Sequence, residues 1–292
     1  MKKLKVNLIV PGGGKCGTSS LHEYLNQHPQ IAMSTIKEPH FFSMESRFDL
    51  GFEYYDQLFE TTKNAVYFGE SSTTYIGSKK AIDRIQEFVP DAKFIVILRD
   101  PVDRCYSHYK WMCSLNLEKE SFRDAYYRDM NIDFDPNFPV NNTGFRHYYL
   151  FSRYYTLLKP FYEIFGANRI HVLLTEDLKQ NPLETLNRCF DFLGLNNLDK
   201  INAVTENVTP LVSRKLELPS IWKIVKFRGP KFFRDNSNFN RWLEKKYTIS
   251  IPFPELGEED KAELSALLEN EVEKLRLLTG RDFNSWKNFV KS

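Results

Sequence analysis

Glycines, one lysine and three hydroxyls stand together near the start of the chain, in Gly12-Gly13-Gly14-Lys15-Cys16-Gly17-Thr18-Ser19-Ser20. Glycine lets a loop curl so that successive backbone N–H groups point inward. Ahead of the loop, Val6, Leu8, Ile9 and Val10 form an apolar run that predicts a buried parallel strand, which Pro11 ends. Behind it, Thr18, Ser19 and Ser20 supply cap and first-turn residues for a helix through Leu21–Asn26, which ends before His28-Pro29. Strand, loop and helix N-terminus make a cradle for an anion: inward N–H donors, the positive helix end, hydroxyls and a lysine. Gly12 and Gly17 take the two glycine positions of the nucleotide pattern G-x-x-x-x-G-K-S/T, but Thr18 follows Gly17 and the lysine has moved back to Lys15. A tight turn with a solvated lysine would use the same residues.

Arg99-Asp-Pro-Val-Asp-Arg-Cys-Tyr-Ser107 is a second candidate anchor. Arginine at a strand end offers a planar fork of donors, and Ser107, two turns into the following helix, adds a hydroxyl. The pair suits a second phosphate; an Arg99–Asp103 ion pair with a surface Ser107 is the plainer alternative. Lys37-Glu38-Pro39-His40-Phe41-Phe42 supplies a carboxylate and an imidazole. Glu38 can take a proton from an attacking group if burial raises its pKa, and His40 is the second candidate base. A surface carboxylate and a structural histidine packed on aromatics are the alternatives. Pro39 biases Glu38 toward an extended backbone.

Further strand signals lie at Ile31–Ser34, Val66–Glu70, Lys93–Leu98 and Arg169–Leu174. Helices are predicted around Phe52–Phe59, over Lys79–Phe88, from Val102 to about Leu115, over Phe145–Phe165 with Pro160 interrupting, over Pro182–Phe192, and over Glu258–Leu278 ending at Gly280. Glu118 to Arg146 has no regular period and predicts a long loop or lid. Strands alternating with helices give an α/β fold: a P-loop-like parallel sheet flanked by helices, with a helical C-terminal extension. Such sheets bind ligands at the C-terminal ends of their strands. The glycine loop, Glu38, the Ser71–Thr74 hydroxyls and Arg99 all follow strands, so they should meet in one crevice. The expected organisation is a single domain, 1–292, with a core of about 4–195 and an extension of about 208–292.

The placement K-x-G-T-S-S at Lys15–Ser20 resembles the 5′-phosphosulfate loop of sulfotransferases that use 3′-phosphoadenosine 5′-phosphosulfate (PAPS). Arg99-Asp-Pro with Ser107, directly after the Lys93–Leu98 strand, is similar to the 3′-phosphate motif of that family. The resemblance runs from about Val6 to Leu195 and returns in outline at Leu275–Trp286. Among subfamilies, Lys37–Phe42 looks most like the glycan-modifying and bacterial branch. The resemblance implies Glu38 as base, with His40 behind it, and Lys15 neutralising charge on the leaving bridge oxygen. Gly14, Lys15, Cys16, Gly17, Thr18, Ser19 and Ser20 would hold the 5′ end of the donor, and Arg99 and Ser107 its 3′-phosphate. The implied acceptor is a hydroxyl, or an amine, of a small molecule or carbohydrate. The second product is adenosine 3′,5′-bisphosphate (PAP), and no metal is needed. One departure stands out. Many glycan enzymes of the family carry a lysine after the glutamate of the third strand, whereas here Ser71 follows Glu70, which speaks against a polyanionic acceptor.

The net charge of +2 gives no global field for nucleic acid, so none is expected as a partner. Between Val212 and Lys246, however, ten Lys/Arg face three Asp/Glu. Arg214 in this stretch is a candidate for the donor's 3′-phosphate; a solvated basic face is the alternative. The four cysteines form no C-x-x-C pair and predict reduced thiols. No apolar run approaches the ~18–20 residues of a membrane span, and the expectation is a soluble, cytoplasmic chain. Two rival readings stay open. A P-loop kinase would need the missing Gly-Lys-Ser/Thr, and a non-catalytic protein would use the basic stretch on a membrane or nucleic acid.

Overall fold

The structure is a computed structural model that describes residues 4–60, 64–132, 146–204, 212–216, 242, 246–253 and 255–290. The chain divides into two compact units: Met1–His108, Glu120–Val208 and Leu256–Ser292 form the first, and Tyr109–Lys119 with Thr209–Glu255 the second.

The first unit is built on five parallel strands, β1 (Leu8–Val10), β2 (Ile31–Met33), β3 (Tyr67–Ser71), β4 (Lys93–Leu98) and β5 (Ile170–Leu174). Their order is β2-β3-β1-β4-β5. After β1 the chain turns to one side of the sheet, and after β4 to the other. The β1–β4 border is therefore the switch point, where an open α/β sheet leaves a crevice beyond its strand ends. Leu8, Ile9 and Val10, and Phe94 through Leu98, are fully buried, so the two strands at the switch point are covered on both faces.

Helices follow the strands: α1 (Thr18–Asn26), α2 (Glu45–Phe48), α3 (Gly51–Asp56), α4 (Lys79–Phe88), α5 (Pro101–Ser114), α6 (Phe122–Met130), α7 (Tyr154–Phe165), α8 (Thr175–Gln180), α9 (Pro182–Leu193) and α10 (Glu258–Thr279). Two expectations are corrected. The stretch read as an irregular lid contains α6, which Ser121 caps by accepting from the Asp124 N–H at 3.2 Å. Its buried face is Phe122, Ala125, Tyr126 and Asp129, a helical spacing hidden because its last member is a carboxylate. The helix expected from Phe145 starts only at Tyr154, behind a short 3-10 turn at Leu150–Ser152, and Pro160 lies inside it. Residues 133–145 of the expected lid lie outside the described residues.

The second unit contains an antiparallel pair, β6 (Val212–Leu216) with β7 (Thr248–Pro252), in which Arg214 pairs with Ser250. The Arg214 side chain, and most of the basic Val212–Lys246 stretch, lie outside the described residues. Lys246 sits over the rings of Trp242 and Tyr247, 5.1 and 5.6 Å from their centroids.

Candidate active site

Beyond β1 the backbone enters the left-handed region repeatedly, at Gly13 (φ 45°), Lys15 (φ 70°) and Gly17 (φ 90°). Close approach also demands glycine. A Cβ on Gly13 would stand 2.5 Å from Cys16 Sγ and 2.8 Å from the Ile97 carbonyl, and one on Gly12 would stand 2.9 Å from the Thr73 carbonyl. The loop is tied down from several elements. The Ile76 N–H donates to Pro11 O at 2.9 Å, Arg104 to Gly14 O at 3.4 Å, and the Thr175 hydroxyl lies 2.5 Å from Cys16 O. The α1 helix then starts at Thr18, so Thr18, Ser19 and Ser20 form its first turn and Gly17 is the cap, without a side-chain cap bond. The first N–H groups of α1 thus have no capping side chain, the arrangement that suits an anion. Cys16 is buried, its Sγ lies 3.4 Å from the Tyr154 hydroxyl, and burial pushes its thiol pKa up. It is a packing residue of the loop.

Cations gather here. Burial, with the charges of Arg99 and Arg104, lowers the Lys15 pKa to about 8. Like charges within electrostatic reach of one another, beside a helix N-terminus, make a setting that favours an anion. Arg99 directly follows β4, and its carbonyl accepts from the Tyr154 hydroxyl at 3.0 Å. Ser107 lies two turns along α5 and is buried, unlike the surface serine of the plainer alternative. Arg214 is on β6 of the second unit and is not placed in this site by the described side chains.

Glu38 and His40 stand on a turn between β2 and the aromatic pair Phe41 and Phe42. Both have left-handed backbones, φ 60° at Glu38 and 53° at His40. The extended conformation expected ahead of Pro39 is therefore not found. Backbone bonds hold the turn against that preference: Glu38 N–H to Ser71 O at 2.9 Å and His40 N–H to Ser72 Oγ at 3.0 Å. Glu38 Oε1 pairs with Lys37 Nζ at 2.7 Å, and Oε2 accepts from the Thr73 N–H and hydroxyl at 3.0 and 2.9 Å. His40 Nε2 lies 3.5 Å from Oε2, while its Nδ1 meets the Thr74 hydroxyl at 3.0 Å. The expected rise in the Glu38 pKa is corrected as well. Burial pushes it up, but Lys37, His40 and the Thr73 N–H outweigh burial and hold the carboxyl below its usual range. The group is an ionised acceptor at neutral pH. His40 is shifted down by burial, which keeps it neutral.

Thr73 joins the two halves of the site. Its carbonyl abuts Gly12 of the glycine loop and its N–H and hydroxyl hold Glu38. A cavity of about 310 Å³ opens beside Lys37, lined among others by His22, Asn26, Ser34 and Thr35.

Sequence reasoning overlooked several supporting residues. Arg104 is almost fully buried and donates to Ser152 Oγ at 2.8 Å and to the carbonyls of Gly14, His147 and Tyr148. A second arginine five residues after Arg99, on a helix face that must pack on the loop, was the available signal. Asp100 accepts from the Val102 N–H at 3.0 Å and from Asn288 N and Nδ2, both at 3.0 Å. Trp286 packs on Phe283 and Tyr154, with centroids 4.4 and 5.8 Å apart. Trp286 and Asn288 thus brace the corner that carries Arg99.

The model of the sulfotransferase domain family matches residues 6–241. Heparan sulfate glucosamine 3-O-sulfotransferase 3B1 of Mus musculus is 29% identical over 191 residues, which cover 65% of this chain and 46% of that protein. Carbohydrate sulfotransferase 15 of the same species is 25% identical over 249 residues, covering 66% of this chain and 44% of that protein. The chain thus spans less than half the length of these curated relatives. A crystal structure of a sulfotransferase from Alicyclobacillus acidocaldarius shares the fold, with a TM-score of 0.68 at 24% identity over 97% of this chain and 98% of that one. The match spans the glycine loop, the Glu38 turn and the Arg99 corner alike, and the chain belongs to the sulfotransferase domain family.

Proposed function

We propose that this chain moves a sulfuryl group from PAPS to a hydroxyl, or an amine, of a carbohydrate or other small acceptor, releasing PAP. One observation carries the reading: Thr73 ties the ionised Glu38 carboxylate to a phosphate loop on which Lys15, Arg99 and the α1 N-terminus converge. PAPS supplies the sulfuryl group and a phosphate leaving group. Glu38 takes the acceptor proton as the acceptor oxygen attacks sulfur, and the breaking S–O bond leaves its electron pair on the bridging phosphate oxygen. Lys15 and the loop N–H groups stabilise that developing charge. Arg99 and Ser107 hold the 3′-phosphate.

A carbohydrate acceptor is supported by the activities for which the relatives are named. The cavity beside Lys37 is lined by polar groups, with Glu23 and Glu60 among them, which favours hydroxyl-rich acceptors over polyanions. No metal has a role in this chemistry, and nucleic acid is not part of it. Both units serve one activity in this reading. Four free thiols fit a reducing compartment such as the cytoplasm, and among the described residues no helix is long and apolar enough to cross a membrane.

The test is incubation of host metabolites and simple sugars with the protein and isotope-labelled PAPS, read by mass spectrometry. Transfer of label with release of PAP is expected. A protein that binds magnesium–ATP and ignores PAPS would replace the reading with the kinase one.

A further inference from the structure

Glu70 has no part in the chemistry above, yet it is the last-but-one residue of β3 and fully buried. A carboxylate sealed from water is costly unless it is held, and such residues are rarely kept for packing. The Tyr55 hydroxyl of α3 donates to its Oε1 at 3.0 Å, and Oε2 has no hydrogen-bond partner. The hydroxyls of Tyr75 and Ser72 face the same carboxyl and favour its ionised form. These two hydroxyls have a second duty. Ser72 Oγ accepts the His40 N–H at 3.0 Å, and the Tyr75 hydroxyl accepts the Phe42 N–H at 3.1 Å. A hydroxyl that accepts from a backbone N–H keeps its own hydrogen for another acceptor, and Glu70 is the acceptor on hand.

We propose that Glu70 is a positioning residue: through the hydroxyls of Ser72 and Tyr75 its buried carboxyl clamps the turn that carries Glu38 and His40. The clamp acts on a turn that needs one, since Glu38 and His40 both hold left-handed backbones that side-chain-bearing residues avoid. It tightens when Glu70 is ionised, because hydrogen bonds to a charged acceptor are the stronger ones. Burial pushes the Glu70 carboxyl up to about 7, against the three hydroxyls, and the nearby charge of Glu38 adds to the rise. The groups that face it are Tyr55 from α3, Tyr75 and Ser72 from the segment after β3, and Glu38 across the turn. Glu70 therefore changes charge near neutrality, and the turn is held more firmly above that pH than below it.

The inference rests on Glu38 as the base, and its test separates the two. The measurement is kcat against pH for wild type, Glu70→Gln, Ser72→Ala, Tyr75→Phe and Glu38→Gln, with calorimetric PAP affinity for each. Wild-type kcat should rise as pH passes about 7. Glu70→Gln should lose that limb and run about ten- to a hundredfold slower at pH 8, the scale of a slightly misplaced catalytic group, with PAP affinity unchanged. Ser72→Ala and Tyr75→Phe should each slow kcat in part, again without weakening PAP, which keeps the test decisive if Glu70→Gln folds poorly. A Glu70→Gln enzyme with the wild-type profile, beside an inactive Glu38→Gln, overturns the clamp and leaves the base in place. A fully active Glu38→Gln overturns both.

Discussion

Thr73 donates twice to Glu38, from its N–H at 3.0 Å and its hydroxyl at 2.9 Å, both to Oε2. The backbone bond survives every substitution but proline, and the hydroxyl can be removed alone. Donors to a carboxylate favour its ionised form, so Thr73→Val should raise the Glu38 pKa and shift the lower of the two acid limbs of the rate profile, the one Glu38 sets below that of Glu70, to higher pH. Losing a hydrogen bond to a charged group costs roughly 1.5–3 kcal/mol, so stability should fall by part of that as well. Rate–pH profiles beside urea melts check both; an unmoved acid limb would detach Thr73 from the base.

Lys15 titrates early because burial and the charges of Arg99 and Arg104 disfavour its cation, giving a pKa of about 8. A bound anion reverses that balance and raises the pKa, so binding must take up a proton once the free lysine is neutral. PAP affinity should be constant below about pH 8 and weaken as pH rises past it. Calorimetry at pH 9 in buffers of different ionisation enthalpy should show proton uptake. Lys15→Ala should abolish that uptake and slow turnover ~10²–10³-fold, the scale of one preorganised donor. A variant within about threefold of wild type removes Lys15 from the chemistry.

Arg99 is anchored through its own carbonyl by Tyr154, and its corner is braced by Asp100 and Asn288. That rigidity suits recognition of a fixed phosphate. The protein should prefer PAPS over the donor that lacks the 3′-phosphate, since a lost charged contact costs roughly 1.5–3 kcal/mol. Arg99→Ala should erase much of that preference. Equal affinity of wild type for both donors refutes the assignment.

Most of the scaffold was legible in the sequence because it follows from local pattern. The Lys79–Phe88 helix and the Lys93–Leu98 strand match the expected bounds, since each carries an unbroken periodicity. The glycine loop was legible because its conformation admits few residues besides glycine. What escaped depends on long-range contacts. Nothing in Lys37–Phe42 announces left-handed excursions at Glu38 and His40, because they are imposed by Ser71, Ser72 and Tyr75 from another strand end. The lowered Glu38 pKa has the same origin: burial alone was foreseeable, while Lys37 and Thr73 act through a geometry fixed by the fold. α6 was missed because Asp129, an acidic residue, occupies its buried face, where its carboxylate accepts from the Leu150 N–H and pairs with His147 at 2.8 Å each.

Glu38 and His40 remain to be separated as base and neighbour, and their surroundings predict different outcomes. His40 Nδ1 is engaged with the Thr74 hydroxyl and Nε2 stands 3.5 Å from Glu38, so the imidazole is placed to steady the carboxylate. Glu38 is ionised at neutral pH, and a carboxylate contributes nothing to holding an anionic donor. Glu38→Gln should therefore keep or slightly improve PAP affinity, because a repulsive charge is gone. Its kcat should drop ~10²-fold or more, the contribution of a positioned base. His40→Ala should cost less, and it should raise the acid limb of the profile, because the neighbour that lowers the Glu38 pKa has been removed. Calorimetric binding beside steady-state rates for both variants decides the matter. An inactive His40→Ala with a normal Glu38→Gln makes His40 the base. A Glu38→Gln that loses PAP binding in proportion to rate makes Glu38 a structural residue.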